Sequence, residues 1–472
     1  MKPVSLSPIK KSTTLLASAL ALCAAASVQA LPVIPGAAGF GMDTKAGRGG
    51  AVYKVTNLNA DGAGSLKACV DVDAPRTCVF EVSGTIKLTT ELHIRHNQIR
   101  IAGQTAPSPG ILIRGAAILI TASDVLIQHL RVRVGDDPVG PAPDNRDSLR
   151  ISGTSTVPVR NVVIDHCSFS WSIDEIASTW GPHDNITFVN NIFAEALDDS
   201  LHPQYDGTGR MKHSMGVLFG PADNSSITFV GNLMAHIVER NPLSRAAELV
   251  SVNNLVYDRG TMDTDLQSED NRITKNSVVG NLYLKGRSYS RDTRPIFVRT
   301  NGDHHLYLGS HVYVSDNRAP DTGSSYSQIV SLTGGDVIPN LMSQTTAPVW
   351  NSGLVVRKTS DNSVYNWVLS YAGARPTDRD SVDKRIVNDV KNRTGRVINC
   401  VSANGTSRCN LNAGGWPYIS HNTRHLSLPS NQSSIASNGY SNLENWLNSM
   451  DQSMDGVVQA ASPAAPPSLS VQ

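Results

Sequence analysis

Ile186-Thr187-Phe188-Val189-Asn190-Asn191 is written again as Ile227-Thr228-Phe229-Val230-Gly231-Asn232 and once more as Leu249-Val250-Ser251-Val252-Asn253-Asn254. Val125-Leu126-Ile127-Gln128-His129-Leu130 and Val162-Val163-Ile164-Asp165-His166-Cys167 precede these on the same plan, and Ser277-Val278-Val279-Gly280-Asn281 follows. Runs of β-branched and aromatic residues closed by Asn or Gly read as short strands ending in bends. The offset is 25 residues from Asp165 to Asn190 and 22 from Asn232 to Asn254, with longer offsets where loops are inserted. Three short strands per repeat, stacked on identical neighbours, make a solenoid. The fold class expected is therefore all-β, a parallel β-helix. Asparagines that recur at one register should stack in a ladder at a bend.

Outward from that region the pattern weakens. Residues 52–56, 77–82 and 84–88 read as strands, and 64–70 as a short helix. The glycines of 36–41 and 47–50 neither follow a strand nor open a helix, so they are not a nucleotide-binding loop. Past residue 345 the period changes. Val382, Ile386, Val387 and Val390 mark a helix over 379–391, and Leu443, Trp446 and Leu447 mark another over 442–450. The expected organisation is a signal peptide (1–30), an N-terminal cap with the first coils (31–95), the β-helix (96–345), a C-terminal extension packed on it (346–457) and a disordered tail (458–472).

The 472 residues carry 17% charged side chains and a net charge of +1, of which Lys2, Lys10 and Lys11 supply three, leaving −2 for residues 31–472. No basic field invites nucleic acid. Lys10 and Lys11 precede an apolar run from Leu15 to Ala25, and Val28-Gln29-Ala30 suits signal cleavage. The run is too short to span a bilayer. Export from the cytoplasm is expected, with no membrane attachment afterwards and a monomeric mature chain. In an oxidising compartment Cys69 with Cys78, and Cys400 with Cys409, are plausible local disulfides. Cys167 reads as a small buried side chain.

Two sets of side chains carry chemistry. Asp144 and Asp147 precede one strand, while Asp174 and Glu175 follow the next. Residues equivalent in register on stacked coils lie about 4.8 Å apart, so Asp147, Asp174 and Glu175 can converge on a hard, oxygen-seeking cation such as calcium. Arg240 and Arg245 flank Pro242, which stiffens the turn between them. Guanidinium groups pair bidentately with carboxylates, so an acidic polymer is the natural guest. Lys212 and His213 add donors near the same face. Asp165 and His166 adjoin in a strand and should point to opposite sides.

At these residues the chain resembles the pectate lyases of polysaccharide lyase family 1. Ile164-Asp165-His166-Cys167 is similar to their Trp-Ile-Asp-His-Cys segment, Arg240-Asn241-Pro242-Leu243-Ser244-Arg245 matches their Arg-x-Pro-x-x-Arg motif, and Val252-Asn253-Asn254 follows as in that family. The similarity runs from about Phe40 to Met450. It implies a right-handed parallel β-helix that binds Ca2+ and cleaves pectate by β-elimination. It also implies calcium carboxylates at Asp147 and Asp174, a catalytic base at Arg240 and a supporting arginine at Arg245. The family's second carboxylate falls at Ser178, leaving Glu175 to substitute. Its substrate-binding lysine falls near Met215, leaving Lys212 or His213.

Two other functions compete. A hydrolase on the same coil needs carboxylates on either side of a glycosidic bond, for which Asp198 with Asp199, or Asp174 with Glu175, are available. It leaves the arginine motif without a task, and its products have saturated ends. A non-catalytic carbohydrate-binding solenoid would bind pectate and release nothing.

Overall fold

The computed structural model describes residues 31–203, 212–288, 294–334, 338–342 and 344–456. The expected signal peptide and tail lie outside the described residues. From Ala51–Val55 to Val330–Thr333 the named strands pair only in parallel, and from Arg76–Phe80 to Ile296–Arg299 successive coils supply strands to three faces. The first face includes Val125–Gln128, Val159–Asp165 and His183–Val189. The third is an eight-stranded sheet from Gly84–Lys87 to Leu282–Leu284. The second includes Leu149–Ser152 and Glu175–Trp180. Met215–Val230 and Leu243–Val252 run through the bend from the second face into the first. This is the parallel β-helix read from the repeats.

The quoted repeats stack residue on residue, Ile186 on Ile227 on Leu249 and Val189 on Val230 on Val252. One offset differs from the sequence reading. Asp165 pairs with Val189, so the step is 24 residues, as it is from Cys167 to Asn191. Inside the coil the three faces meet through phenylalanines. Phe188 of the first face lies 6.1 Å from Phe193 of the third and 5.6 Å from Phe219 of the second.

The asparagine ladder forms. Asn191 donates to Asn232, Asn232 to Asn254, Asn254 to Asn281 and Asn281 to Asn317, each over 2.9–3.0 Å from Nδ2 to Oδ1. Asn232 also accepts the Asn191 backbone N–H at 2.8 Å and donates to the Phe188 carbonyl at 3.1 Å. Asn232→Ala would orphan the buried Asn191 N–H and remove the side-chain bonds that tie Asn232 to its neighbours in the ladder. It is expected to destabilise the coil by about 3 kcal/mol, read as a lower guanidinium unfolding midpoint.

The residue just before each ladder position turns the corner in the left-handed region. His166, Asn190, Gly231, Asn253 and Gly280 have φ of +45°, +52°, +69°, +53° and +66°. Asn and Gly tolerate that conformation, and His166 inherits it from its place in the stack. The expectation that Asp165 and His166 point apart is corrected here. The left-handed residue breaks strand alternation, and His166 Nδ1 meets Asp165 Oδ1 at 2.6 Å. Burial works against the imidazolium, but the Asp165 and Asp455 charges outweigh it and hold His166 up at about 10. With His129, which reaches Asp451 at 2.7 Å, this corner docks the last helix, Asn442–Asp455.

That helix begins with a capping box between Ser441 and Glu444 and lays Leu443 and Leu447 on Val79 and Ala102 of the first face. Ser381–Asn392, capped by Asp380, covers the outer side of the third face with Val382, Ile386, Val387 and Val390 against Ile192, Leu233 and Leu255. A helix absent from the sequence reading, Ser363–Tyr371, adds Val364, Val368 and Leu369 to the same layer. It lacks a side-chain cap, since Asn362 is left-handed, so nothing local announced its start. Cys69–Cys78 and Cys400–Cys409 are disulfides, and Cys167 is buried with its thiol pKa pushed up by burial.

The coil lengthens mainly at the corner from the third face to the second. Leu130–Arg133 leads to Leu149–Ser152, and Ile192–Ala194 to Met215–Val230, across much longer stretches than other corners need. Candidate site residues sit at that corner.

Candidate active site

Leu149 pairs with Ala177 and the Ser148 N–H donates to Ile176, so Asp147 and Glu175 hold the same place on successive coils. Glu175 pairs with Met215, and Met215 bridges to Glu239. Four consecutive coils thus present Asp147, Glu175, Met215 and Glu239–Arg240 in a row, at about 4.8 Å per step. Asp174 stands one residue before Glu175. Arg240 is left-handed, φ +63°, and its carbonyl accepts from the Val217 N–H at 2.7 Å. Its guanidinium reaches back over the Met215 coil to pair with Glu175.

Asp147, Asp174 and Glu175 each bring a carboxylate oxygen within 4.8 Å of the others. Oxygen ligands of one calcium ion lie about 2.4 Å from it, hence no more than about 4.8 Å from one another. The three oxygens fit a single coordination sphere. Burial and the Asp174 charge push Asp147 up to about 8, although the Ser178 hydroxyl donates to it at 2.5 Å. The all-oxygen set suits a hard divalent cation. Asp144, on the turn Pro143–Asn145, is exposed and outside the cluster.

A chain named "Probable pectate lyase C" from Neosartorya fischeri is 30% identical over 454 residues, covering 94% of this chain and 99% of its own length. The chain belongs to the pectate lyase family. A second protein of that name, from Aspergillus terreus, is 30% identical over 437 residues, with 90% and 95% coverage. No protein-family model matches the chain. Among solved structures, jun a 1, the major allergen from cedar pollen, is 18% identical and covers 72% of this chain and 92% of its own, with a TM-score of 0.50. That likeness concerns the fold.

The remaining residues matched from the pectate lyases take varied places. Arg245 lies one coil from Gln267 and binds it at 2.9 Å, with Glu269 at 2.7 Å. Burial lowers the Arg240 pKa; the Asp174 charge opposes this and the Arg245 charge adds to it. Met215 occupies the step between Glu175 and Glu239, so the position matched to the family lysine presents a thioether. Lys212 is exposed and pairs through its backbone with Asp199. His213 is buried, with Nε2 2.9 Å from Asp174 Oδ1. Ser178, where the family carries an acid, only donates to Asp147. His202 escaped the sequence reading. Its ring stacks on His213 at 3.6 Å, and its Nε2 lies 3.7 Å from Asp174. It lies eleven residues before His213 across an insertion, so no period marks it.

Proposed function

We propose that the protein is an exported, calcium-dependent pectate lyase that cleaves polygalacturonate by β-elimination and leaves unsaturated oligogalacturonides. The observation that carries this reading is Arg240 lying beside the three clustered carboxylates, within a chain of the pectate lyase family. Asp147, Asp174 and Glu175 would hold calcium. When bound, calcium neutralises the uronate carboxylate and so raises the acidity of the neighbouring C5 proton. Arg245, which also binds Gln267 and Glu269, would pair with a substrate carboxylate. Arg240 takes the C5 proton; the C5–H electron pair becomes the C4=C5 double bond, and the C4–O bond breaks with its electrons leaving on oxygen, which picks up a proton from water. Arginine is protonated at ordinary pH, so a neutral Arg240 needs the burial and the Arg245 charge that lower its pKa. The rate should accordingly climb as pH rises through the alkaline range.

Export is supported by the N-terminal signal pattern and the two disulfides. Among the described residues no helix is long and apolar enough to cross a membrane. The test is ultraviolet absorbance of the unsaturated product on a panel of uronans, with and without chelator. Growth on polygalacturonate that a chelator abolishes and added calcium restores is the expected result. New saturated reducing ends without absorbance would show hydrolysis, and binding without product would show a non-catalytic solenoid.

A further inference from the structure

The three clustered carboxylates have unlike partners. Asp147 takes a hydroxyl from Ser178 and Asp174 an imidazole from His213. Glu175 takes the full positive charge of Arg240. One side chain is therefore claimed twice, as a cation ligand and as the counter-ion of the proposed base. We infer that Glu175 couples the two, so that metal binding at the acidic cluster and the ion pair to Arg240 exclude one another. This rests on the calcium reading above.

A divalent ion drawing on Glu175 competes for the oxygens that hold the guanidinium and repels the guanidinium itself. Of the two partners Arg240 is the one able to move. Its side chain is 24% exposed against 8% for Glu175, which begins a strand paired to its neighbours on both sides. Released, Arg240 turns outward from the row of carboxylates into the cleft where a uronate would lie. Glu175 is thus a positioning residue for Arg240 as well as a ligand. The arrangement makes an enzyme that presents its base only when its metal is in place. Arg245 gives the internal comparison, since it carries the same charge nearby but is held by Gln267 and Glu269.

Linkage makes the coupling measurable from the metal side. Calcium is titrated calorimetrically into the metal-free wild type, Arg240→Ala and Arg245→Ala, with thermal unfolding run on each to confirm folding. Arg240→Ala should bind calcium about tenfold more tightly than wild type, while Arg245→Ala changes the affinity less than about threefold. Should Arg240→Ala fail to fold, Arg240→Gln, which keeps the length and loses the charge, takes its place with the same expectation. Equal tightening by both variants would mean general electrostatics and would overturn the inference. So would unchanged or weaker binding by Arg240→Ala. Calcium uptake without the Arg240 effect sinks this inference alone; no uptake by wild type sinks the calcium reading with it.

Discussion

Arg240→Ala is expected to lower the turnover of polygalacturonate by about 10^3-fold, a typical loss for a positioned acid–base group, with a much smaller change in KM. The reasoning is positional. Arg240 is set by a left-handed backbone and a carbonyl bound to Val217, and it pairs with Glu175, one of the three carboxylates that would hold the substrate's counter-cation. A residue that only attracted the polymer would raise KM and leave turnover alone. Arg240→Lys separates the possibilities further. Lysine keeps a charge but loses the planar fork and its reach, so it should recover substrate binding without the rate. Full activity in Arg240→Ala would remove the proposed base. The variant's fold is independently checked by thermal unfolding.

Arg133→Ala is expected to give the largest loss of stability, about 3–5 kcal/mol. Arg133 is fully buried on the third face and binds Asp380 at 2.6 and 3.1 Å and Asp383 at 2.7 Å. Asp380 caps the helix Ser381–Asn392, and Asp383 also accepts from Ser168 at 2.7 Å. Removing the guanidinium leaves two carboxylates buried under that helix. Despite burial, the Arg133 and Arg131 charges hold Asp380 well below the usual carboxylate range. The clamp's contribution from Asp380 is therefore complete above its unfolded pKa of about 4, and fades as pH falls through the lowered folded value. The measurement is chemical unfolding together with limited proteolysis of the 346–400 region, which should become cleavable in Arg133→Ala at neutral pH. A wild-type midpoint and an uncut chain would show that apolar packing alone seats the helices.

How much of this was legible beforehand depends on which physical rule placed each residue. The ladder was readable because Asn191, Asn232 and Asn254 recur at one position of a repeating strand, and stacking follows from repetition. Glu175 was readable as a neighbour of Asp147 for the same reason, since residues alike in register must sit one coil apart. The Asp165–His166 pair was misread because strand alternation was applied one residue too far. Asn190, Gly231 and Asn253 in the equivalent place were the available sign that the corner is left-handed. The helix Ser363–Tyr371 and the His202 stack depend on tertiary neighbours and carry no local pattern. The Arg240–Glu175 pair needed the direction of a long side chain across an intervening coil, which spacing does not give.

The corner that joins the third face to the second takes extra residues without disturbing a single ladder bond. It is also where the groups at the centre of the proposed chemistry emerge. Length can therefore change at that corner while the stacked strands on either side keep their register. A segment grafted into that corner should leave Asp147, Glu175 and Arg240 on their steps, because their places are set by the strands and not by the inserts.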